Sequence, residues 1–210
     1  MTEVTGRASP SVSRTRLLDA AMHVIRAQGY SATTVDDICR AAGLTKGAFF
    51  HHFKSKEDLA VAAAAHFWEM VERLSGAAHY RELTDPLARL LGYIDFRSAI
   101  IDGPIPEFTC LLGTMVQEAY DTHPAIRRAC DTYIGVHVTA VANDIKAAKA
   151  LYAPEATWSA ESLALYTQAV LQGSFVLAKA KGDPEVARGC VAHLRSYIEQ
   201  LFGRPASKEE

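Results

Sequence analysis

The stretch from Thr33 to Leu59, TTVDDICRAAGLTKGAFFHHFKSKEDL, constrains this chain more than any other part of it. Thr34 is a good N-cap, and Asp36 and Asp37 follow where the helix dipole favours negative charge. Val35, Ile38, Cys39 and Ala42 then recur at i, i+3, i+4 and i+7, the spacing of one apolar helix face. Gly43 follows, a residue free to take the positive φ of a tight turn. Thr45 caps a second short helix over Lys46 to His52. Ser55 and Asp58 resemble a capping box at the start of a third helix, with Asp in place of the usual Glu. Two short helices, a tight turn and a polar exit into a longer helix make up the layout of a helix-turn-helix, a device for placing one helix in the DNA major groove.

The rest of the chain also has helical period, and no segment alternates as a strand does. A helix is predicted over Ser13 to Gln28, with Leu17, Leu18, Ala21 and Ile25 as its inner stripe and Gly29 as its stop. The helix after Ser55 carries Leu59, Ala63, Phe67, Met70 and Leu74. Five more follow: Pro86 to about Ile101, Glu107 to Tyr120, Pro124 to near Tyr152, one capped by Ser159 and reaching Lys181, and a last one to Phe202. The loop from Asp102 to Pro106 separates the first two of these. Gly182-Asp183-Pro184 supplies a stop, a cap and a start in three residues.

Composition narrows the class. A hydrophobic content of 49% allows a real core, and no apolar run approaches the ~20 residues a membrane span needs. The opening MTEVTGRASPSVSR has no apolar stretch and reads as a short disordered arm, so a cytoplasmic chain is expected. Cys39, Cys110, Cys130 and Cys190 form no CxxC pair, which argues against a zinc site, and four free thiols fit a reducing compartment. His51 and His52 point about 100° apart on a helix and make a poor shared metal site. Neither metal nor cofactor is expected. Residues 1–56 hold eight Lys/Arg and four Asp/Glu, a balance of +4, whereas residues 57–210 hold fourteen and twenty, a balance of −6. A basic head on an acidic body suits a protein that offers one end to phosphates.

TTVDDICRAAGLTKGAFFHHFKSKEDL resembles the DNA-binding signature of the TetR family of bacterial repressors, strongly over about residues 13–60. The resemblance implies an all-α chain. A three-helix helix-turn-helix domain would occupy residues 1–56, with its motif at about 34–53, and a helical ligand-binding and dimerisation domain residues 57–210. It implies operator DNA, a small-molecule inducer and a second copy of the chain as partners.

A reading helix needs an apolar inner face and an outer face that tolerates phosphates and base edges. Leu44, Phe49 and Phe53 supply the first, and Thr45, Lys46, Gly47, Phe50 and His51 the second. Lys46 can reach a guanine edge or a phosphate, and Phe50 a thymine methyl. The family usually has Tyr where Phe50 stands, so this chain lacks that hydroxyl. Thr34 and Lys56, at helix N-termini, take the family's role of gripping phosphates, and His52 is a further candidate. Thr34 could equally be a cap and Phe50 a core residue.

In the body, Trp68, Tyr93, Phe96, Phe108, Cys110, Tyr120, Tyr133, His137 and Tyr166 are candidates for an inducer pocket, or else core. Cys110 opens its expected helix, where a thiol can become reactive. The last two helices carry Leu163, Tyr166, Val170, Gly173 and Leu177, then Val186, Cys190, Leu194, Ile198 and Leu201. In the family such a pair joins its symmetry mate; alternatively it forms an ordinary hairpin. Enzyme chemistry is disfavoured, because no HExxH, GxSxG or Gly-rich phosphate loop occurs, and Cys110 and His123 are thirteen residues apart. No catalytic residue is assigned. An adaptor using a degenerate helix-turn-helix would not need Lys46, His51 and Lys56.

Overall fold

The structure, a computed structural model, describes residues 10–203. Its helices are α1 (Pro10–Gln28), α2 (Val35–Ala42), α3 (Lys46–His52), α4 (Lys56–Gly76), α5 (Pro86–Ala99), α6 (Ile105–Phe108), α7 (Leu111–Ala119), α8 (Pro124–Tyr152), α9 (Ala160–Lys181) and α10 (Pro184–Leu201). No strand occurs among the described residues. The expected arm before Pro10 and the polar tail after Gly203 lie outside them. Helix α1 opens at Pro10 rather than Ser13, since proline suits a first helical turn. The helix expected from Glu107 to Tyr120 is two helices. Thr109 is extended (φ −77°, ψ 155°), which ends α6 after one turn, and α7 starts two residues later. A 3-10 turn over His79–Glu82, which the helical periodicity does not reveal, carries Tyr80 into the core.

The helices form two compact units. One comprises the described residues up to Glu69 together with Leu111–Asp131. Its buried side chains include Leu17, Ile25, Ile38, Phe49 and Leu59, joined by Leu111, Met115 and Ile126 from the later segment. Burial of each such side chain contributes roughly 1.5–3 kcal/mol relative to exposure. The turn between α1 and α2 is clasped from two sides. Ser31 N donates to Glu118 Oε2 of α7 at 2.7 Å. Lys56 Nζ donates to Tyr30 O at 3.0 Å and Thr33 O at 2.8 Å, over the Tyr30 ring. Gly29 takes φ +89°, and a Cβ there would collide with the Glu118 carboxylate. The Tyr30 and His123 rings meet edge-on with centroids 5.2 Å apart.

The second unit comprises Met70–Cys110 and Thr132 onward. Leu87, Leu90, Leu91 and Ile94 of α5 share a core with Leu163, Leu171 and Phe175 of α9 and Val191, Leu194 and Ile198 of α10. Polar groups at its edges are paired. Arg195 Nε donates to Asp95 at 2.6 Å and its Nη1 to the buried Glu199, while Arg89 binds Asp144 at 2.8 Å. These pairs fix the face of α5 that carries Tyr93.

Candidate nucleic-acid interface

Helix α2 is held at both ends. Thr34 Oγ1 accepts from Asp37 N at 3.1 Å, and Thr34 N donates to Asp37 Oδ2 at 3.0 Å, a reciprocal capping box. The Thr34 hydrogen bonds, above all, hold the Asp37 carboxyl below its usual range. At the other end Gly43 is left-handed (φ 60°), and Leu44 N donates to Cys39 O at 2.9 Å. Arg16 of α1 donates to Ala42 O at 2.6 Å, placing a cation at the negative end of α2. Thr45 then caps α3 by accepting from Ala48 N at 3.2 Å. At the start of α4, Asp58 N donates to Ser55 Oγ, but the Asp58 carboxylate accepts from Lys54 N rather than Ser55 N. The box expected at Ser55 is therefore shifted by one residue.

With both ends fixed, α3 divides its residues cleanly. Phe49 and Phe53 face inward at 0% and 3% exposure. Phe50, the next residue, is 57% exposed. Thr45, Lys46, Gly47 and His51 are exposed beside it, and His52 is half-buried. Lys46 Nζ sits 2.9 Å from Asp36 Oδ1, with both side chains more than half exposed. So open a pair is worth about 0–1 kcal/mol, and an incoming phosphate can replace the carboxylate. Thr34 is exposed, and Lys56 spends two of its three N–H bonds on the α1–α2 turn. Arg14 of α1, absent from the sequence reading, lies with its guanidinium 5.3 Å over the Phe53 ring. Burial, then His51 and Arg14, lower the pKa of His52. The excess of Lys/Arg before residue 57, Arg14 among them, was the signal for it.

The aromatic candidates of the body are not gathered into one pocket. Tyr93 and His137 meet, with the hydroxyl 2.7 Å from His137 Nε2, and line a narrow cleft with Tyr80, Arg81, Leu90, Ala140, Val141 and Asp144. Phe96 packs on Tyr80, and Phe108 on Phe175 in the core. Tyr133 and Cys110 are half-buried, the latter between α6 and α7. Trp68 belongs to the first unit. Tyr120 does too and is 59% exposed, because α7 ends one residue before it. Tyr166 lies on the outer side of α9, edge-on to Tyr197.

Residues 17–63 match the family described as bacterial regulatory proteins, tetR family, and residues 86–194 match the tetracyclin repressor-like C-terminal domain. The chain belongs to the TetR family. It is 40% identical to the HTH-type transcriptional regulator AcrR of Shigella flexneri over 60 residues, 29% of this chain and 26% of that one. It is 27% identical to the transcriptional regulator AcuR of Cereibacter sphaeroides over 181 residues, 86% of this chain and 71% of that one. The crystal structure of a TetR transcriptional regulator from Chloroflexus aurantiacus superposes with a TM-score of 0.78 at 27% identity, covering 91% of this chain and 96% of that one. The family is one of transcriptional regulators, not enzymes. No helix among the described residues is long and apolar enough to cross a membrane.

In this TetR-family chain α9 has two apolar faces, which its sequence pattern does not separate. Leu163 faces inward, as do Leu194 and Ile198 of α10, all at 5% exposure or less. Three of the residues expected at a dimer interface are therefore sealed in the unit's own core. Val170, Val186 and Leu201 are half-buried, while Tyr166, Gly173 and Leu177 are exposed. Leu165, Val176 and Tyr197, which the sequence reading omits, are exposed with them.

His137 gives a test of the cleft. Burial, then Arg97 and Arg81, hold its pKa down to about 3. The unfolded chain takes up the same proton near its ordinary value of 6.5. The folded pKa is depressed, so neutral His137 contributes stability above pH 6.5 that is lost as the pH falls toward 3. This one group should lower stability by about 1.4 kcal/mol per pH unit across that window. Urea melts at stepped pH should show that slope in the parent and a shallower one in His137→Gln.

Proposed function

We propose that this chain is a ligand-responsive, sequence-specific DNA-binding regulator: a cytoplasmic repressor released from a palindromic operator by a small molecule. The observation that carries the reading is the outer face of α3, where a 57% exposed Phe50 lies among Thr45, Lys46, Gly47 and His51. An exposed phenyl ring costs solubility unless something apolar meets it, and a thymine methyl is the apolar feature of the major groove. Gly47 lets the backbone come close to the DNA. Thr34, His52 and the remaining N–H of Lys56 take phosphates, and Arg14 extends the same basic surface. A second copy binds along the exposed face of α9, which bears Leu165, Tyr166, Val176 and Leu177. Two-fold symmetry then places two copies of α3 in successive major grooves, about 34–36 Å apart or a multiple of that.

Release is a population shift: the signal binds one conformation more tightly than the operator-competent one, and its effect is limited by that difference. The signal is a small molecule taken up by the body, or a thiol-reactive compound at Cys110, which is half-buried and outside any disulfide. A gel shift of the purified protein on its own upstream DNA, with and without candidate signals, tests the reading. An enzyme or an adaptor would not retard that DNA.

Lys46→Ala should weaken operator binding about tenfold and reduce the slope of log affinity against log salt by about 1. Asp36→Asn, which frees Lys46 from its ion pair, should instead tighten binding. Fluorescence anisotropy over a salt series measures both, and an unchanged slope in Lys46→Ala would remove Lys46 from the contacts.

A further inference from the structure

The peptide unit between Tyr30 and Ser31 is gripped at both ends by opposite charges. Lys56 Nζ donates to its carbonyl, Tyr30 O, at 3.0 Å. Its N–H, on Ser31, donates to Glu118 Oε2 at 2.7 Å. One trans peptide is all that stands between the ammonium and the carboxylate, so the two lie no more than about 8 Å apart. Each charge polarises the peptide in the sense that strengthens the other's hydrogen bond. Burial lowers the pKa of Lys56, and the Glu118 carboxylate opposes that fall. The carboxylate rests against Gly29, where a Cβ would come within 2.3 Å of Glu118 Oε1. The turn is also closed from within, by Thr33 N to Tyr30 O at 3.2 Å and Thr33 Oγ1 to Gly29 O at 2.6 Å. Lys56 has three N–H bonds, and Tyr30 O and Thr33 O take two of them. With two directions fixed, tetrahedral geometry fixes the third. That third N–H is the one assigned to a phosphate, beside Thr34, the residue after Thr33. Whatever holds the turn therefore aims the grip.

We propose that Glu118 is a positioning residue for DNA binding: through the Tyr30–Ser31 peptide it sets where the ammonium of Lys56 meets a phosphate. The inference rests on reading α3 and its flanks as the DNA-contacting surface. Glu118 touches no DNA itself and acts by its hydrogen bond rather than by its charge. The side chain is exposed, and its repulsion of the phosphate is the smaller effect. Exposed charges about a Debye length apart, ~8 Å in physiological salt, are largely screened, whereas a hydrogen bond weakens steeply once misaligned.

Fluorescence anisotropy of the full chain on its own upstream DNA tests this, in a double-mutant cycle with Lys56. Glu118→Ala should weaken binding about fivefold, since a charge-assisted hydrogen bond that holds the turn is lost. Glu118→Gln keeps an acceptor for Ser31 N and should bind within about twofold of the parent. In the Lys56→Ala background Glu118→Ala should cost less than about twofold, because the group it aims is gone. Without DNA, hydrogen exchange at the Ser31 amide should quicken about tenfold in Glu118→Ala and stay near the parent rate in Glu118→Gln. Glu118 is exposed and alanine suits a helix, so thermal melts should show both Glu118 variants folded. A loss in Glu118→Ala that persists undiminished without Lys56 would be a general effect on the fold and would overturn the proposal. So would an unchanged affinity or Ser31 exchange rate in Glu118→Ala, or an equal loss of affinity in Glu118→Gln. A parent that does not bind that DNA would overturn the DNA reading, and with it this role for Glu118, which sets that failure apart from the others.

Discussion

Phe49→Ala is expected to unfold the DNA-binding head, while Phe50→Ala leaves the fold intact and damages only DNA binding. The two residues are neighbours, with ring centroids 5.1 Å apart, yet Phe49 has 0% exposure and Phe50 57%. Removing a fully buried phenyl leaves a cavity costing about 3–5 kcal/mol, a large part of a typical net stability of 5–15 kcal/mol. In a chain of this size the melting temperature should fall by about 10 °C, and operator binding should vanish as the head opens. Phe50 has little packing to lose, so its truncation should change stability by no more than about 0.5 kcal/mol. Operator affinity should still drop about tenfold, through the lost thymine contact. Thermal melts beside anisotropy titrations separate the pair. Equal losses of stability in the two variants would mean that α3 does not present Phe50 outward.

Arginine at both Leu165 and Leu177 is expected to give a folded monomer with little grip on its operator. Both leucines are about half exposed, at 58% and 48%, so charging them leaves the core untouched. Two like-charged arginines at a self-complementary face would meet their own copies across the symmetry axis. Tethering two reading heads raises apparent affinity about 10²–10⁴-fold by effective concentration alone, and that factor is what should be lost. Sedimentation velocity gives the oligomeric state and a gel shift the affinity. A dimer that persists in the double variant would place the interface elsewhere.

The head was legible in the sequence because its signals are local. Thr34, Gly43 and Thr45 each act within four residues, and the structure uses all three as expected. The box at Ser55 was misplaced by one residue, since Asp58 can reach either of two adjacent N–H groups. The body was legible as helices but not as a site. Nothing in the spacing of Tyr93 and His137, forty-four residues apart, says that they touch. The pattern of α9 was likewise ambiguous, because a helix that is apolar on two faces gives no sign of which one its own core takes. Tyr120 stands in solvent because α7 ends one residue before it, a margin that helical periodicity does not resolve.

The hydrogen bond from Ser31 to Glu118 bears on how such regulators can diversify. The head's α1–α2 turn is completed by a carboxylate from eighty-seven residues downstream, inside the stretch that matches the C-terminal family domain. A fragment ending at Glu69 would leave Gly29, Tyr30 and Ser31 without Glu118 and His123, and should melt without a cooperative transition in circular dichroism. A chimera joined at the start of α4 would carry the same defect unless its donor supplied a matching acid. New operator preferences are then reached more readily by point changes along α3 than by transplanting a whole N-terminal region between relatives.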